Sequence, residues 1–262
     1  MGIAISVHHQ DGAERAVYQG DSYISAVYQE SYQPGDFLCI TNEEPGFYQI
    51  RLEDTMPEIL VYLDQQQHTF LIPYGEKKTC YHPRAFDGER HALRIRKAYE
   101  WEIGQYRNLA FNPYDCDSMT GAYPHASANV HTRGEAVFEP RNAIDGFYAN
   151  DSHGNFPYQS WGINMDLKAA WTLKFGIPVR IDRLIITLRA DFPHDSYWTQ
   201  GTVSFSDGSE EIVYFEKTAE PQIFEIEART VTSLVFRQLI QADDPSPFPA
   251  LTQFEAWGIP VI

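Results

Sequence analysis

Cysteine is scarce in this sequence: Cys39, Cys80 and Cys116 are the only three. An odd number, with no Cys-x-x-Cys pair, argues against a disulfide framework, a zinc site or a dithiol redox centre. Positive charge is short as well. The 20 Lys and Arg face 36 Asp and Glu, a formal net charge of −16. So acidic a surface repels phosphate backbones and anionic lipid, so nucleic acid and membrane are expected to be poor partners. No stretch reaches the roughly 18 apolar residues of a membrane span. The opening MGIAISVHHQDG lacks the basic and apolar regions of a signal peptide. Met1-Gly2 with Ser6 fits the myristoylation pattern, but Ile3, Ile5 and Val7 alternate like a strand. The expectation is a reduced, cytoplasmic protein. Also missing are a nucleophile elbow, a metalloprotease helix, a phosphate loop and a dinucleotide fingerprint.

Aromatic and turn-forming residues are abundant. Phe, Tyr and Trp make up 14% of the 262 residues, beside 17 Gly and 16 Pro. That mixture favours many short strands broken by turns, in a globular chain with room for two ordinary domains. Strands are expected at 3–8, 15–18, 37–41, 47–52, 59–63, 68–72 and 91–96, which together suggest an antiparallel sandwich over residues 1–110. Residues 98–109 read as a short helix with Trp101 and Tyr106 on its apolar side, weakened by Gly104. Residues 111–123 lack periodicity and read as a linker. Strands resume at 171–175, 183–188, 202–206, 212–215, 222–226, 233–239 and 251–257. Two long irregular stretches interrupt them, 150–166 and 241–249, and loops of that length in a compact domain are usually functional.

The densest chemistry lies after the apolar run Leu184–Leu188. Residues 189–198, RADFPHDSYW, combine a cation, two carboxylates, an imidazole and three aromatic rings. A surface loop carries such a set when a rigid scaffold presents it to a ligand. The plain alternative is a loop that packs its rings on the sandwich and pairs its own charges.

Four landmarks, in order, give the second half a family likeness. They are Ala126-Ser127-Ala128, Arg141-Asn142-Ala143-Ile144-Asp145-Gly146 with Ser160-Trp161, Val203-Ser204-Phe205-Ser206-Asp207-Gly208, and Leu251 to Gly258. Residues from about 117 to 262 thereby resemble the discoidin-type (coagulation factor 5/8 type C) domain, also grouped as family 32 carbohydrate-binding modules. The resemblance implies a galactose-binding-like jelly roll whose loops at one end hold a ligand, commonly a sugar. Together with the first sandwich, the fold class expected is all-β with two β-sandwich domains, 1–110 and 117–262. The resemblance also implies a structural calcium near Asp145, with Ser160 closing the loop and Gln253 where a glutamate is usual. An amide in place of a carboxylate weakens such a site.

For a mono- or oligosaccharide, the resemblance points to the loop after Leu188. Arg189 can donate a forked pair of hydrogen bonds, Asp191 and Asp195 can accept from hydroxyls, and His194 can do either. Trp198 or Tyr197 would supply a flat face. His153 and Arg133 join as polar contributors, although Arg133 with Glu135 could form only an ion pair. Asp243-Asp244 could face the same end or simply turn the chain before Pro245. Trp161 reads as core. The competing class is a carbohydrate-active hydrolase or lyase using His194 with Asp191 and Asp195, whose separation the sequence does not set. A metal centre drawn from His125, His131, His153 and His194 is a weaker reading. A third class is a protein-interaction module. Which sugar, and which oligomeric state, the sequence leaves open.

Overall fold

Alternation of apolar and polar residues dictates the first half. The computed structural model describes residues 2–189 and 196–262. Eight strands follow one another: β1 (Ile3–His8), β2 (Glu14–Gly20), β3 (Tyr23–Tyr28), β4 (Phe37–Asn42), β5 (Gly46–Arg51), β6 (Ile59–Leu63), β7 (Gln67–Leu71) and β8 (His91–Lys97). They make two antiparallel sheets, β2-β1-β4-β7 and β6-β5-β8-β3. One face of each closes on a shared core. Ile5, Leu38, Ile40 and Phe70 come from the first sheet, and Ile50, Val61, Leu93 and Ile95 from the second. The all-β sandwich is as expected. β3 is an addition to the expected strands. Its Tyr23 and Val27 are exposed while Ile24 and Tyr28 are buried, so apolar residues run on both faces and blur the period-2 signal.

The connection departs from expectation in two places. The helix spans only Glu100–Ile103 (α1), ending where Gly104 caps it. Trp101 is 66% exposed and stacks on Tyr99 rather than facing a core. Arg107–Asn108 (β9) leaves the helix because pairing with Trp257 and Gly258 outweighs a weak helical propensity. Nor is 111–123 a loose linker. Tyr114 is buried and donates from its hydroxyl to the Pro57 carbonyl at 3.0 Å, while Asn112 Nδ2 donates to the Pro124 carbonyl at 2.8 Å. Ala122–Tyr123 (β10) adds to the edge of the second sheet beside β6.

The second half contains β11 (His125–Ala128), β12 (Trp161–Gly162), β13 (Trp171–Leu188), β14 (Trp198–Phe205), β15 (Glu210–Tyr214), β16 (Gln222–Gln241) and β17 (Ala250–Pro260). Their order is β12-β17-β13-β16-β14-β15, with β11 on β13 and β9 on β17. The expected pairs of strands at 171–175 with 183–188, and at 222–226 with 233–239, are each one long strand, β13 and β16. Both β13 ladders shift register along the strand, and Gly176 at φ +76° lies against the Tyr123 ring. These long strands belong to both layers of a jelly-roll sandwich, so the sheet closes over its own face. Trp171 on β13 meets Phe254 on β17 at 5.0 Å between ring centroids, and Phe236 on β16 meets Phe254 at 5.8 Å. Trp161 is fully buried in this core, as the sequence reading had it.

The two halves interlock. Leu109 and Ala110 belong to the second core, whereas Ala136, Val137 and Phe138 belong to the first. Arg141 lies buried between them. Its Nε donates to the Asp115 carbonyl at 2.6 Å and Nη2 to the Pro113 carbonyl at 2.6 Å, and its guanidinium sits 4.6 Å from the Tyr81 ring centroid.

Candidate functional site

Three elements converge at one end of the second sandwich. Trp161 and Gly162 of β12 pair with Leu251 and Ala250 at the start of β17, and Leu188 at the end of β13 also pairs with Leu251. The Arg189 N–H donates to the Ala250 carbonyl at 3.0 Å. The segment before them is pinned from below, because Trp161 Nε1 donates to the Val130 carbonyl at 2.9 Å. Gly162 is required here: a Cβ on it would lie 2.5 Å from Thr132 Oγ1. That same Oγ1 accepts the Asn164 N–H at 3.0 Å, which joins the turn at 132–134 to the loop after β12.

The result is a cleft of about 520 Å³, within the roughly 300–1,000 Å³ usual for small-molecule sites. Arg133, His153 and Arg189 all line it. These three residues lie 20 or more positions apart in the sequence, and the fold gathers them. Arg189 is 5% exposed and donates from Nη2 to the Phe248 carbonyl at 3.1 Å. Its guanidinium stands 5.9 Å from the Phe138 ring centroid, and that of Arg133 stands 5.4 Å from the same ring. Arg133 is exposed and also held by Glu135, Nε to Oε1 at 2.6 Å and Nη2 to Oε2 at 2.7 Å. The ion pair foreseen is therefore present, and the same arginine lines the cleft.

Backbone strain concentrates at this place. Among the described residues, the non-glycine residues at positive φ are Phe86, Arg133, Asn164, Met165 and Gln238, and three of them line the cleft. Such conformations cost of order 1 kcal/mol or more each and cluster where function needs them.

Trp198 requires correction. It is fully buried at the start of β14, 6.3 Å from Trp161 and 5.9 Å from Phe236 between centroids, so it is core and offers no face to a ligand. The exposed aromatic face in the cleft is Phe248, 45% exposed, with Met165 at 57% across the same space. Phe248 was not singled out from the sequence, although its loop, 241–249, was. Asp244 turns that loop, accepting the Ser246 N–H at 3.0 Å and pairing with Lys217. Asp191, His194 and Asp195 lie outside the described residues.

The calcium expectation meets a poor fit. Asp145 is buried, and its Oδ1 accepts from Gln253 Nε2 at 2.8 Å and from the Phe147 N–H at 2.9 Å, while Oδ2 accepts from Gln159 Nε2 at 2.7 Å. The Gln253 amide oxygen is spent on the Gly146 N–H at 3.0 Å. Ser160 is buried as well and contributes its backbone N–H to the Val137 carbonyl. Calcium needs six to eight oxygens, mostly charged, whereas this lone carboxylate is surrounded by N–H donors. Burial pushes the Asp145 carboxyl up to about 6, against the opposing pull of Arg141. Among the described residues no three His, Cys, Asp or Glu side chains are grouped to hold a metal. His125 is instead bonded to Asp115 at 2.7 Å, which raises its pKa.

No family model matches the sequence, and no curated protein matches it either. Solved structures do. The chain is similar to chitosan-binding module 1 of a chitosanase/glucanase from Paenibacillus sp. IK-5, at 19% identity and TM-score 0.40, over 59% of this chain and 100% of that one. It is similar to the family 32 carbohydrate-binding module of C. perfringens NanJ, solved with galactose, at 16% identity and TM-score 0.39, over 50% of this chain and 91% of that one. A Streptococcus pneumoniae fucose binding module matches at 12% identity and TM-score 0.42, over 57% of this chain and 96% of that one. At identities this low, the ligand has to be read from the cleft.

Proposed function

We propose that the cleft at the end of the second sandwich binds a mono- or oligosaccharide and does not turn it over. The observation that carries this reading is the pairing, in one cleft, of an exposed aromatic face with fixed polar groups. A pyranose presents a patch of C–H groups on one side and hydroxyls around its edge. Phe248 and Met165 offer apolar surface for the first. Arg189, Asn164, Ser246 and Thr132 offer donors and acceptors for the second. Arg189 is preorganised by burial and by its bond to Phe248, so little side-chain entropy is lost on binding. Millimolar to micromolar affinity is expected of one stacked ring and a few hydrogen bonds, about −4 to −8 kcal/mol.

Glycoside hydrolysis uses two carboxyl groups flanking the bond. Among the described residues lining the cleft, the titratable side chains are Arg133, His153 and Arg189; the two carboxylates that the sequence offers for turnover, Asp191 and Asp195, lie outside the described residues. A glycan array followed by calorimetry tests the reading. Wild type is expected to bind saturably without product, Phe248→Ala to lose about 10-fold in affinity, and Arg189→Ala to lose binding. Product formation at a catalytic rate that disappears in His194→Ala would replace the binding protein with an enzyme.

A further inference from the structure

The short connection between the two halves holds aromatic rings out to solvent. Trp101 on α1 is 66% exposed, and Tyr99 just before it is 49% exposed. Their rings stack at 4.3 Å between centroids and 12° between planes. With one face on Tyr99 and two thirds of its surface in solvent, the indole keeps its other face open. The pair is fixed from both ends of the helix. Arg96 stands 4.6 Å from the Tyr99 ring centroid and donates from Nη1 to Glu102 Oε2 at 2.8 Å. The same Oε2 accepts the Tyr99 N–H at 2.8 Å. Past the helix, Arg107 Nη1 donates to the Ile103 carbonyl at 2.7 Å and the Gln105 carbonyl at 3.1 Å. None of these residues lines the cleft.

We infer that the Trp101–Tyr99 pair is a second carbohydrate contact, one that takes the flat face of a neutral β-1,4-linked polysaccharide. An open, rigid ring with no pocket around it suits a ligand that is itself flat and apolar on one side, as a pyranose is. Because the rings are already held in place, little side-chain freedom is lost on contact. Glu100 and Gln105 are exposed beside it and can bond ring hydroxyls. One stacked ring holds a single sugar weakly, but a long chain offers many equivalent units and raises the effective concentration. Charge argues for a neutral occupant. Around the pair Arg96 is matched by Glu102 and Lys97 by Glu44, while the whole chain carries −16. A second copy of the chain or an anionic lipid surface would meet that repulsion, and a neutral glycan would not.

Native electrophoresis of the full chain through gels containing hydroxyethyl cellulose or glucomannan tests this inference. Wild type is expected to be retarded by at least one of the two polymers. Trp101→Ala should weaken the interaction roughly 5-fold, and Trp101→Phe, which keeps a flat ring, should stay within about 2-fold of wild type. Emission gives an independent reading, since Trp161, Trp171 and Trp198 are fully buried. The change in tryptophan fluorescence on adding polymer should vanish in Trp101→Phe; its persistence would place the contact elsewhere and overturn the inference. Retardation by neither polymer, or retardation that Trp101→Ala leaves intact, would overturn it too. A dimer seen by sedimentation and lost in Trp101→Ala, without retardation, would assign the rings to a second copy instead. None of these outcomes bears on the cleft, whose oligosaccharide binding Trp101→Ala is expected to leave unchanged.

Discussion

At the scale of single residues, burial decides the roles. Trp198 and Phe248 are both aromatic residues near the end of the second sandwich, and only exposure tells them apart: 0% against 45%. Asp145 shows the same rule for charge. Its carboxylate sits where the family likeness implies a cation, but amide N–H groups from Gln159 and Gln253 fill its oxygens. Chelation by EDTA, or addition of millimolar calcium, is therefore expected to leave the unfolding midpoint unchanged, since a ligand that does not bind the folded state cannot shift it. The same carboxyl predicts a pH effect. Its folded pKa of about 6 lies above the ordinary 3.8, so between those values the folded state holds a proton that the unfolded state has released. Acidification from about pH 6 to about 4 accordingly adds stability through this group, of order 3 kcal/mol, and the contribution is lost as pH rises through 6. Urea unfolding of wild type and Asp145→Asn across pH 4 to 7 isolates it. The difference between the two should change across that window; parallel curves would mean that the carboxyl is not desolvated.

At the scale of elements, the strands with clean alternation were legible. β1 and β6 appear at the boundaries that the apolar pattern gives, 3–8 and 59–63. Elements set by distant partners were not. Arg107–Asn108 is a strand only because Trp257–Gly258 is there to pair with it, and the two-residue β12 exists because Leu251 and Ala250 lie alongside. The cleft depends on that last pairing. A methyl group at Gly162 would collide with Thr132 Oγ1, the atom that holds the Asn164 N–H. Gly162→Ala is therefore expected to destabilise the fold by about 1–3 kcal/mol and to weaken sugar binding more than that loss explains. Calorimetric titration at a temperature where the variant remains folded checks the second effect. Unchanged affinity would separate the turn at 132–134 from the site.

At the scale of the whole molecule, the exchange of segments between the halves predicts joint unfolding. Each core includes residues from the other half, and the buried Arg141 bonds carbonyls on the connecting segment. Scanning calorimetry of the full chain should show one transition. Arg141→Ala should lower stability by about 3 kcal/mol, from the carbonyls left unpaired in a dry environment. Two separate transitions, insensitive to Arg141, would mean independent domains.

The sequence by itself determined the all-β class, most strand positions, and the candidacy of Arg133, His153 and Arg189, because alternation and residue chemistry are local properties. Which of the aromatic rings faces solvent, how 107–123 threads between the sheets, and that two arginines share the ring of Phe138 were decided only by the tertiary structure. Those facts depend on contacts between residues far apart in the chain, and no local pattern encodes which distant partner a side chain will meet.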